Sequence, residues 1–189
     1  KVIKVTYTPF NQQPREFVIH PYQLKQFNDR WFLLSCPLAN DRYPFNPEFI
    51  LTLALDRISE KFDYVENEEY FECIVDLKAR FDEIIGVTLY QDKDLEDIYF
   101  AVSPHSVDYV RTKWLHTTQI ELDEDTQGYF RSKYPSLKDH TFFSIECREN
   151  SELYSKFASY TGDLSLVEPI YMRERLRERI IKAAESYNC

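Results

Sequence analysis

The chain has 189 residues, of which 43% are hydrophobic and 16% aromatic, and its net charge at pH 7 is −9. This length allows one large domain or two small ones, and the apolar content is sufficient for a folded core, which excludes a disordered chain. No apolar run approaches the roughly 18 residues that a membrane helix needs. The sequence has three glycines and neither a GxGxxG nor a GxxxxGK[ST] motif, which argues against a glycine-loop nucleotide-binding protein.

The charge is unevenly distributed along the sequence. Residues 1–60 carry 7 Lys and Arg against 6 Asp and Glu, residues 61–100 carry 4 against 12, and residues 101–189 carry 12 against 14, which gives +1, −8 and −2. The overall acidity disfavours nonspecific binding of duplex DNA, but it leaves room for a local basic pocket in the first segment. The acidic middle predicts a solvated connector.

The cysteines and the first residues indicate the compartment. Cys36, Cys73, Cys147 and Cys189 stand far apart and form no CxxC pair, so we predict free thiols in a reducing, cytoplasmic environment rather than a zinc site. The first residues lack the apolar region of a signal peptide. They also lack an initiator Met, from which we expect a fragment or a processed form that has lost an upstream domain.

The first sixty residues predict five short strands, without a helical period between them. Pro21 is expected to end the regular pairing of the second strand because it has no N–H to donate, and Asn28-Asp29 is expected to form a tight hairpin turn. A loop is predicted over residues 37–47. This pattern indicates a small β-barrel or a strongly bent sheet. The predicted strands are 2–7, 15–20, 23–27, 30–35 and 49–55.

The last ninety residues mix strands and helices. Ser103-Pro104 and Ser151-Glu152 look like helix starts, Gln127-Gly128 marks a turn, and a short helix or an irregular connector is expected over residues 67–79. The order β-α-β-β-α-β followed by a terminal helix is the ferredoxin-like pattern. The predicted strands are 98–102, 117–122, 141–147 and 164–167, and the last helix is 171–187.

The sequence contains no recognised catalytic signature. There is no GxSxG or HExxH motif, and no closely spaced set of metal ligands, so we predict neither an enzyme nor a metal or other cofactor. An uncharacterised enzyme stays an alternative, because catalytic residues converge in space rather than in sequence. The histidines are His20, His105, His116 and His140, and a cleft that held His20 or His116 beside a carboxylate and a nucleophile would favour this alternative.

A binding site in the first segment is the more specific prediction. Aromatic rings beside arginines can stack on bases and hold phosphate. Each of these residues also has a simpler explanation: a core aromatic, a hydrogen-bonded structural histidine, or an ion pair between Asp56 and Arg57. Trp31 and Phe32 are neighbours on a strand and must point to opposite faces. The candidates are Tyr7, His20, Arg30, Trp31, Phe32 and Arg57.

Three sequence blocks resemble the WYL-domain family, which is named for a Trp-Tyr-Leu motif. They are FVIHPYQL at residues 17–24, NDRWFL at 28–33 and LALDRI at 53–58. The later part resembles the C-terminal extension of that family, through LHTTQ at residues 115–119, Gly162-Asp163 and VEP at residues 167–169.

This resemblance implies a fold and a function. Members are mostly bacterial transcriptional regulators with a winged helix-turn-helix domain ahead of the WYL module, and they are often dimers. The WYL module is an SH3/Sm-like β-barrel for which nucleotides or single-stranded nucleic acid are the proposed ligands. The resemblance places Tyr7, His20, Trp31 and Arg57 in the pocket, with Phe32 at the family's Tyr position. Secondary candidates are Arg15, His116 and Gln119.

We therefore expect an α+β protein with a WYL barrel over residues 1–62, an acidic connector over 63–95 and a ferredoxin-like extension over 96–189. The expected function is ligand sensing and oligomerisation in a DNA-binding transcriptional regulator, with duplex DNA contacted only through an upstream domain. A homodimer and no membrane contact are expected. A protein–protein or dimerisation module without a small ligand is the alternative.

Overall fold

The computed structural model describes residues 1–39, 44–160 and 162–187. The predicted α+β class is confirmed: the chain has two antiparallel sheets with helices. It divides into two compact units, of which the first comprises Lys1–Arg80 and Val87–Gln91, and the second Phe81–Gly86 and Asp92–Cys189. Part of the predicted 37–47 loop, residues 40–43, and Cys189 lie outside the described residues.

The first unit contains a five-stranded antiparallel sheet in the order β4-β3-β2-β1-β5. A 3-10 turn over Leu55–Arg57 joins β4 to β5, and no pairing of β4 with β5 closes the sheet among the described residues. The core lies on the face that carries Val5, Ile19, Leu33 and Leu53. The strands are β1 (Ile3–Tyr7), β2 (Arg15–Phe27), β3 (Arg30–Pro37), β4 (Leu51–Ala54) and β5 (Ile58–Tyr64).

The predictions about these strands have mixed outcomes. Regular pairing does end at Pro21, where a register shift between Pro21 and Gln23 absorbs the missing donor, but the predicted strands 15–20 and 23–27 form one strand because β2 continues to Phe27. Strand β5 was missed because every residue after Ile58 is exposed, so the strand shows no alternation of burial. Asn28 and Asp29 do form the predicted turn, and their φ angles of 48° and 60° suit a type I′ hairpin.

A short helix, α1 (Leu77–Asp82), follows the irregular acidic stretch, so both alternatives for residues 67–79 are partly present. The second unit contains a four-stranded antiparallel sheet in the order β7-β8-β6-β9. Its strands are β6 (Leu95–Val102), β7 (Ile120–Glu121), β8 (Thr141–Arg148) and β9 (Leu164–Glu168), and its helices are α2 (Val107–Thr112), α3 (Glu124–Lys133), α4 (Ser151–Ala158) and α5 (Ile170–Glu185).

The sheet of the second unit is covered on both faces. Phe143 and neighbouring residues of β6 and β8 pack against α4 and α5, with Phe100 and Phe157 in edge contact at 5.5 Å. Phe142, the residue before Phe143, points to the other face and stacks on Phe130 of α3 at 5.3 Å. Strand alternation thus divides the phenylalanines of β8 between two cores.

Helix α3 is the main departure from the predicted pattern. Gln127-Gly128 lies inside this helix rather than in a turn, and the Asp123 side chain caps it by accepting a hydrogen bond from the Thr126 N–H at 2.9 Å. Helix α2 begins at Val107 and not at Ser103-Pro104, because the Ser103 hydroxyl donates to Asp163 at 2.7 Å instead of capping a helix. The predicted strand over residues 117–122 is reduced to β7.

A buried carboxylate links three segments of the second unit. Glu149 accepts hydrogen bonds from the Tyr154 hydroxyl at 2.5 Å and from Arg175, and it lies 3.0 Å from the Lys93 ammonium. Burial opposes ionisation, but the bonds from Arg175, Tyr154 and Lys93 outweigh it and hold the pKa of Glu149 below its usual value. The ionised carboxylate therefore stabilises the fold.

We predict that Glu149→Gln lowers the free energy of unfolding at pH 7 by about 2 kcal/mol, since it weakens charge-assisted hydrogen bonds in a buried site. The folded pKa is depressed, so the contribution is complete above the unfolded pKa of about 4.3 and disappears as the pH falls through the folded value. Urea unfolding at pH 7 and pH 3 measures it. The control is Glu174→Gln, which removes an exposed pair with Arg177 and should cost less than about 0.5 kcal/mol. An unchanged difference at both pH values would contradict the prediction.

Two glycines make a matched pair for a second prediction. Gly86 has a φ of +89°, and a Cβ there would lie 2.6 Å from Cγ of Glu152, whereas a Cβ on Gly128 of α3 would meet nothing within 4 Å. We expect Gly86→Ala to destabilise the protein by more than about 1 kcal/mol through strain and overlap. Gly128→Ala should stabilise it by roughly 0.5–1 kcal/mol, because alanine favours the helix. Thermal unfolding of both variants should move the midpoints in opposite directions.

Candidate functional site

An arginine and a phenylalanine from separate turns stack at one edge of the first sheet. Phe10 lies in the turn between β1 and β2, and Arg57 ends the 3-10 turn between β4 and β5. The Cζ atom of Arg57 lies 3.5 Å from the centroid of the Phe10 ring. The two turns are joined by a backbone hydrogen bond from the Thr8 N–H to the Arg57 carbonyl at 2.9 Å. The ring itself is 66% exposed, so one face remains open to solvent.

A second guanidinium lies beside this stack. Arg30 begins β3, and its Cζ atom lies 5.9 Å from the ring centroids of both Phe10 and Phe32. Its Nη2 atom donates to Asp56 at 2.6 Å. Two arginines, two aromatic rings and one carboxylate thus meet here, with one formal positive charge in excess.

Arg57 retains hydrogen-bonding capacity. Its Nε atom is buried and has no hydrogen-bond partner among the described residues. A buried donor without a partner carries a desolvation cost that an acceptor on a ligand would relieve. Both side chains of the pair between Arg30 and Asp56 are exposed, so this pair is weakly held and an incoming anion can compete with Asp56.

The structure brings together three of the six predicted site residues, Arg30, Phe32 and Arg57. Trp31 is half exposed and, as the strand neighbour of Phe32, lies on the opposite face of β3. Tyr7 packs edge-on against Phe17 at 6.4 Å and pairs with Ile58, one residue after Arg57.

Arg15, a secondary candidate at the start of β2, donates a hydrogen bond to the Gln12 side chain in the β1–β2 turn at 2.7 Å.

His20 lies elsewhere in the first unit. It is 2% exposed, its Nδ1 atom accepts the Phe71 N–H at 3.1 Å, and Phe45 and Tyr70 pack against the ring. Burial lowers its pKa, which favours the neutral ring. On β2, the residue that pairs with Phe32 is Lys25, five residues after His20. His20 therefore lies about 15 Å along the strand from that position. The structure therefore does not bring it to the arginine pair.

His116 and Gln119 lie in the second unit and hold the loop after α2. The Gln119 side chain accepts the Leu115 N–H at 2.9 Å and donates to the Val110 carbonyl at 3.0 Å. His116 Nδ1 lies 2.8 Å from the Thr118 hydroxyl, and burial lowers the pKa of this histidine. His116 also lines a cavity of about 310 Å³ whose rim carries Trp114.

Sequence reasoning missed Phe10. The usable signal was a single large aromatic residue in a turn framed by Pro9 and Pro14, where polar residues are expected. No group of three or more potential metal ligands occurs in the described part of the chain, and Cys36, Cys73 and Cys147 are free thiols. None of the helices in the described ranges has the length and apolar character to span a bilayer.

Comparison with known proteins identifies the first unit. Residues 1–61 match the family model for the WYL domain. The first part of the chain is therefore similar to a WYL domain, and the site formed by Phe10, Arg30 and Arg57 lies within the matched residues.

Two solved structures are similar to the whole chain. A CRISPR Cas-related protein has 12% identity and a TM-score of 0.55 over 99% of this chain and 47% of its own length, which indicates a shared fold. Proteasome accessory factor B/C of Arthrobacter aurescens has 13% identity and a TM-score of 0.41, over 100% of this chain and 26% of its own. The chain thus spans less than half of either protein. The comparison with curated proteins gives no match.

Proposed function

We propose that this chain is the ligand-sensing part of a transcriptional regulator, and that its WYL domain binds a nucleotide or a single-stranded nucleic acid. The observation that carries the proposal is the stack of Phe10 on Arg57 with Arg30 beside it. Rings backed by guanidinium groups are what proteins use to hold unpaired bases and their phosphates.

The geometry supports a division of roles. A base stacks on the open face of Phe10, while its phosphate accepts hydrogen bonds from the guanidinium groups of Arg57 and Arg30. Arginine suits the second task because its planar donors match phosphate oxygens in pairs. Asp56 occupies Arg30 in the free protein, so the ligand phosphate replaces an internal carboxylate rather than water alone.

The finer architecture belongs to the same proposal. We infer that the first unit is an SH3/Sm-like barrel variant and the second a ferredoxin-like extension, divided functionally at residues 62 and 95. A winged-helix domain upstream of residue 1 contacts duplex DNA in this scheme, and the protein acts in the cytoplasm without catalysis. The open face of Phe10 is compatible with a binding module.

We predict that a fluorescently labelled single-stranded oligonucleotide binds this chain and that Phe10→Ala weakens binding about tenfold, since one stacked base accounts for roughly 1–3 kcal/mol. Arg57→Ala should weaken it by a similar factor and lower the salt dependence by about 0.7 for each lost phosphate contact. Asp56→Asn should strengthen binding, because it releases Arg30. Fluorescence anisotropy at two salt concentrations measures all three variants, with DNA and RNA oligomers side by side.

Arg131→Ala is the matched control, since that half-buried arginine pairs with Glu124 in the second unit and its loss should not change the affinity. Mononucleotides used as competitors show whether one nucleotide is sufficient. Equal affinities for the wild type and both site variants, or no binding at low salt, would contradict the proposal.

Helix α5 supports a second candidate function, self-association. Met172 and Leu176 are buried, and the same stripe continues through Ile180, Ala184 and Tyr187, but every residue from 177 to 187 is exposed. The helical part of this exposed segment, residues 177–185, has nine residues, which are too few for a stable helix in water without packing. We propose that a second copy of the chain covers this stripe and forms a homodimer.

Sedimentation of the wild type at several concentrations should then show a dimer, and Ile180→Glu should shift the equilibrium to the monomer, because it places a charge in an apolar contact. Glu178→Gln, a change on the same exposed helix segment, should leave the dimer intact. A wild type that remains monomeric at high concentration would contradict this candidate.

A further inference from the structure

A cluster of two lysines and two tyrosines lies on the surface of the second unit. Tyr109 lies in α2 and Lys113 is the C-cap of that helix. Lys156 lies in the last turn of α4, and Tyr160 follows that helix by two residues. The Lys113 ammonium lies 2.6 Å from the Tyr109 hydroxyl, and that of Lys156 lies 5.6 Å from the Tyr160 ring centroid. The two tyrosine rings are 6.2 Å apart. We call these four residues the two-lysine cluster.

Neither lysine of this cluster has a carboxylate partner within residues 1–39, 44–160 and 162–187. Two nearby acids are engaged elsewhere, since Asp108 pairs with Arg111 at 2.9 Å and Asp163 accepts from Ser103. The two positive charges are therefore not neutralised by the fold.

The same unit contains an instructive counterpart. Helix α3 carries a similar pair, in which Lys133 follows Tyr129 by four residues, just as Lys113 follows Tyr109. The Lys133 ammonium lies 3.1 Å from the Tyr129 hydroxyl. There, however, Glu168 accepts from Lys133 at 2.6 Å and from the Tyr134 hydroxyl at 3.1 Å. The counterpart thus carries its own anion between a lysine and a tyrosine. In the two-lysine cluster that place is not taken by a carboxylate of the described chain.

The ionisation of Tyr109 agrees with this contrast. The hydrogen bond from Lys113 lowers the pKa of Tyr109, with a smaller contribution from the charge of Lys156. Burial and then the neighbouring Tyr109 raise the pKa of Tyr160. In the counterpart, burial and then the hydrogen bond with Glu168 raise the pKa of Tyr134. Lys113 thus favours a negative charge at Tyr109, whereas the counterpart already contains the carboxylate of Glu168.

We propose that the two-lysine cluster is a binding site for a phosphate group, either a free ion or a phosphate of a nucleic-acid strand. Lys113 and Lys156 supply the charge, and the hydroxyls of Tyr109 and Tyr160 donate hydrogen bonds to the remaining oxygens. A phosphate fits better than a single carboxylate, because its oxygens can accept bonds from several converging donors. The site lies in the second unit and does not depend on the arginine pair of the WYL domain.

The test is a titration of the protein with inorganic phosphate at constant ionic strength, followed by backbone amide NMR. Saturable shifts are expected at residues 109, 113, 156 and 160. Lys113→Met combined with Lys156→Met should weaken binding about tenfold, since two exposed charged contacts together account for a factor of that order. Lys133→Met is the matched control and should leave the affinity unchanged, because its lysine is already paired with Glu168.

A second titration with an unlabelled single-stranded oligonucleotide, in an Arg57→Ala background, identifies the source of the phosphate. Shifts at the four residues with both probes support a site for a nucleic-acid strand, and shifts with inorganic phosphate alone support a site for the free ion. The absence of saturable shifts with either probe would overturn the proposal. So would equal affinity of the double lysine variant, once its circular dichroism shows that it is folded.

Discussion

The candidate site depends on the position of β1 between β2 and β5. This arrangement brings the β1–β2 turn against the 3-10 turn that leads into β5, and the bond from the Thr8 N–H to the Arg57 carbonyl fixes the two turns to each other. Phe10 and Arg57 can therefore stack although 46 residues separate them in the sequence. Arg30 joins them through the hairpin turn at Asn28-Asp29, which sets where β3 begins. The β1–β2 turn, the 3-10 turn before β5 and the hairpin turn before β3 thus together form one surface of aromatic and basic groups.

Part of this arrangement could be predicted from the sequence and part could not. The Asn28-Asp29 turn was predictable, because few residue pairs accept positive φ at two successive positions. The path of β2 beyond Pro21 was not, since a register shift that absorbs a proline depends on the partner strand. Arg57 and Arg30 were predicted as site residues from their aromatic surroundings. Phe10 was missed because only the folded turn places its ring on a guanidinium, and His20 was included although tertiary packing buries it among Phe45, Tyr70 and Phe71.

Carboxylates decide which basic residues remain available in this acidic chain. Glu149 holds Lys93 and Arg175 in a buried network, and Glu168 holds Lys133 at the surface. The pair of Asp56 with Arg30 is exposed and exchangeable, while Arg57 and the two-lysine cluster have no carboxylate partner among the described residues. Within the described residues, the distribution of acids therefore separates cations that hold the fold from cations without a carboxylate partner, a distinction that net charge per segment did not reveal.

Strand β5 has a consequence for the behaviour of the protein in concentrated solution. It is an edge strand whose aromatic residues Phe62 and Tyr64 are exposed, a combination that invites edge-to-edge pairing with other molecules. The strand also carries Glu60, Lys61 and Asp63, and its pairing with β1 is interrupted by a register shift between Val5 and Tyr7. Alternating charges and a bulge are the means by which natural sheets discourage such pairing. The charged residues that made β5 difficult to predict as a strand thus also protect the open edge of the sheet against aggregation.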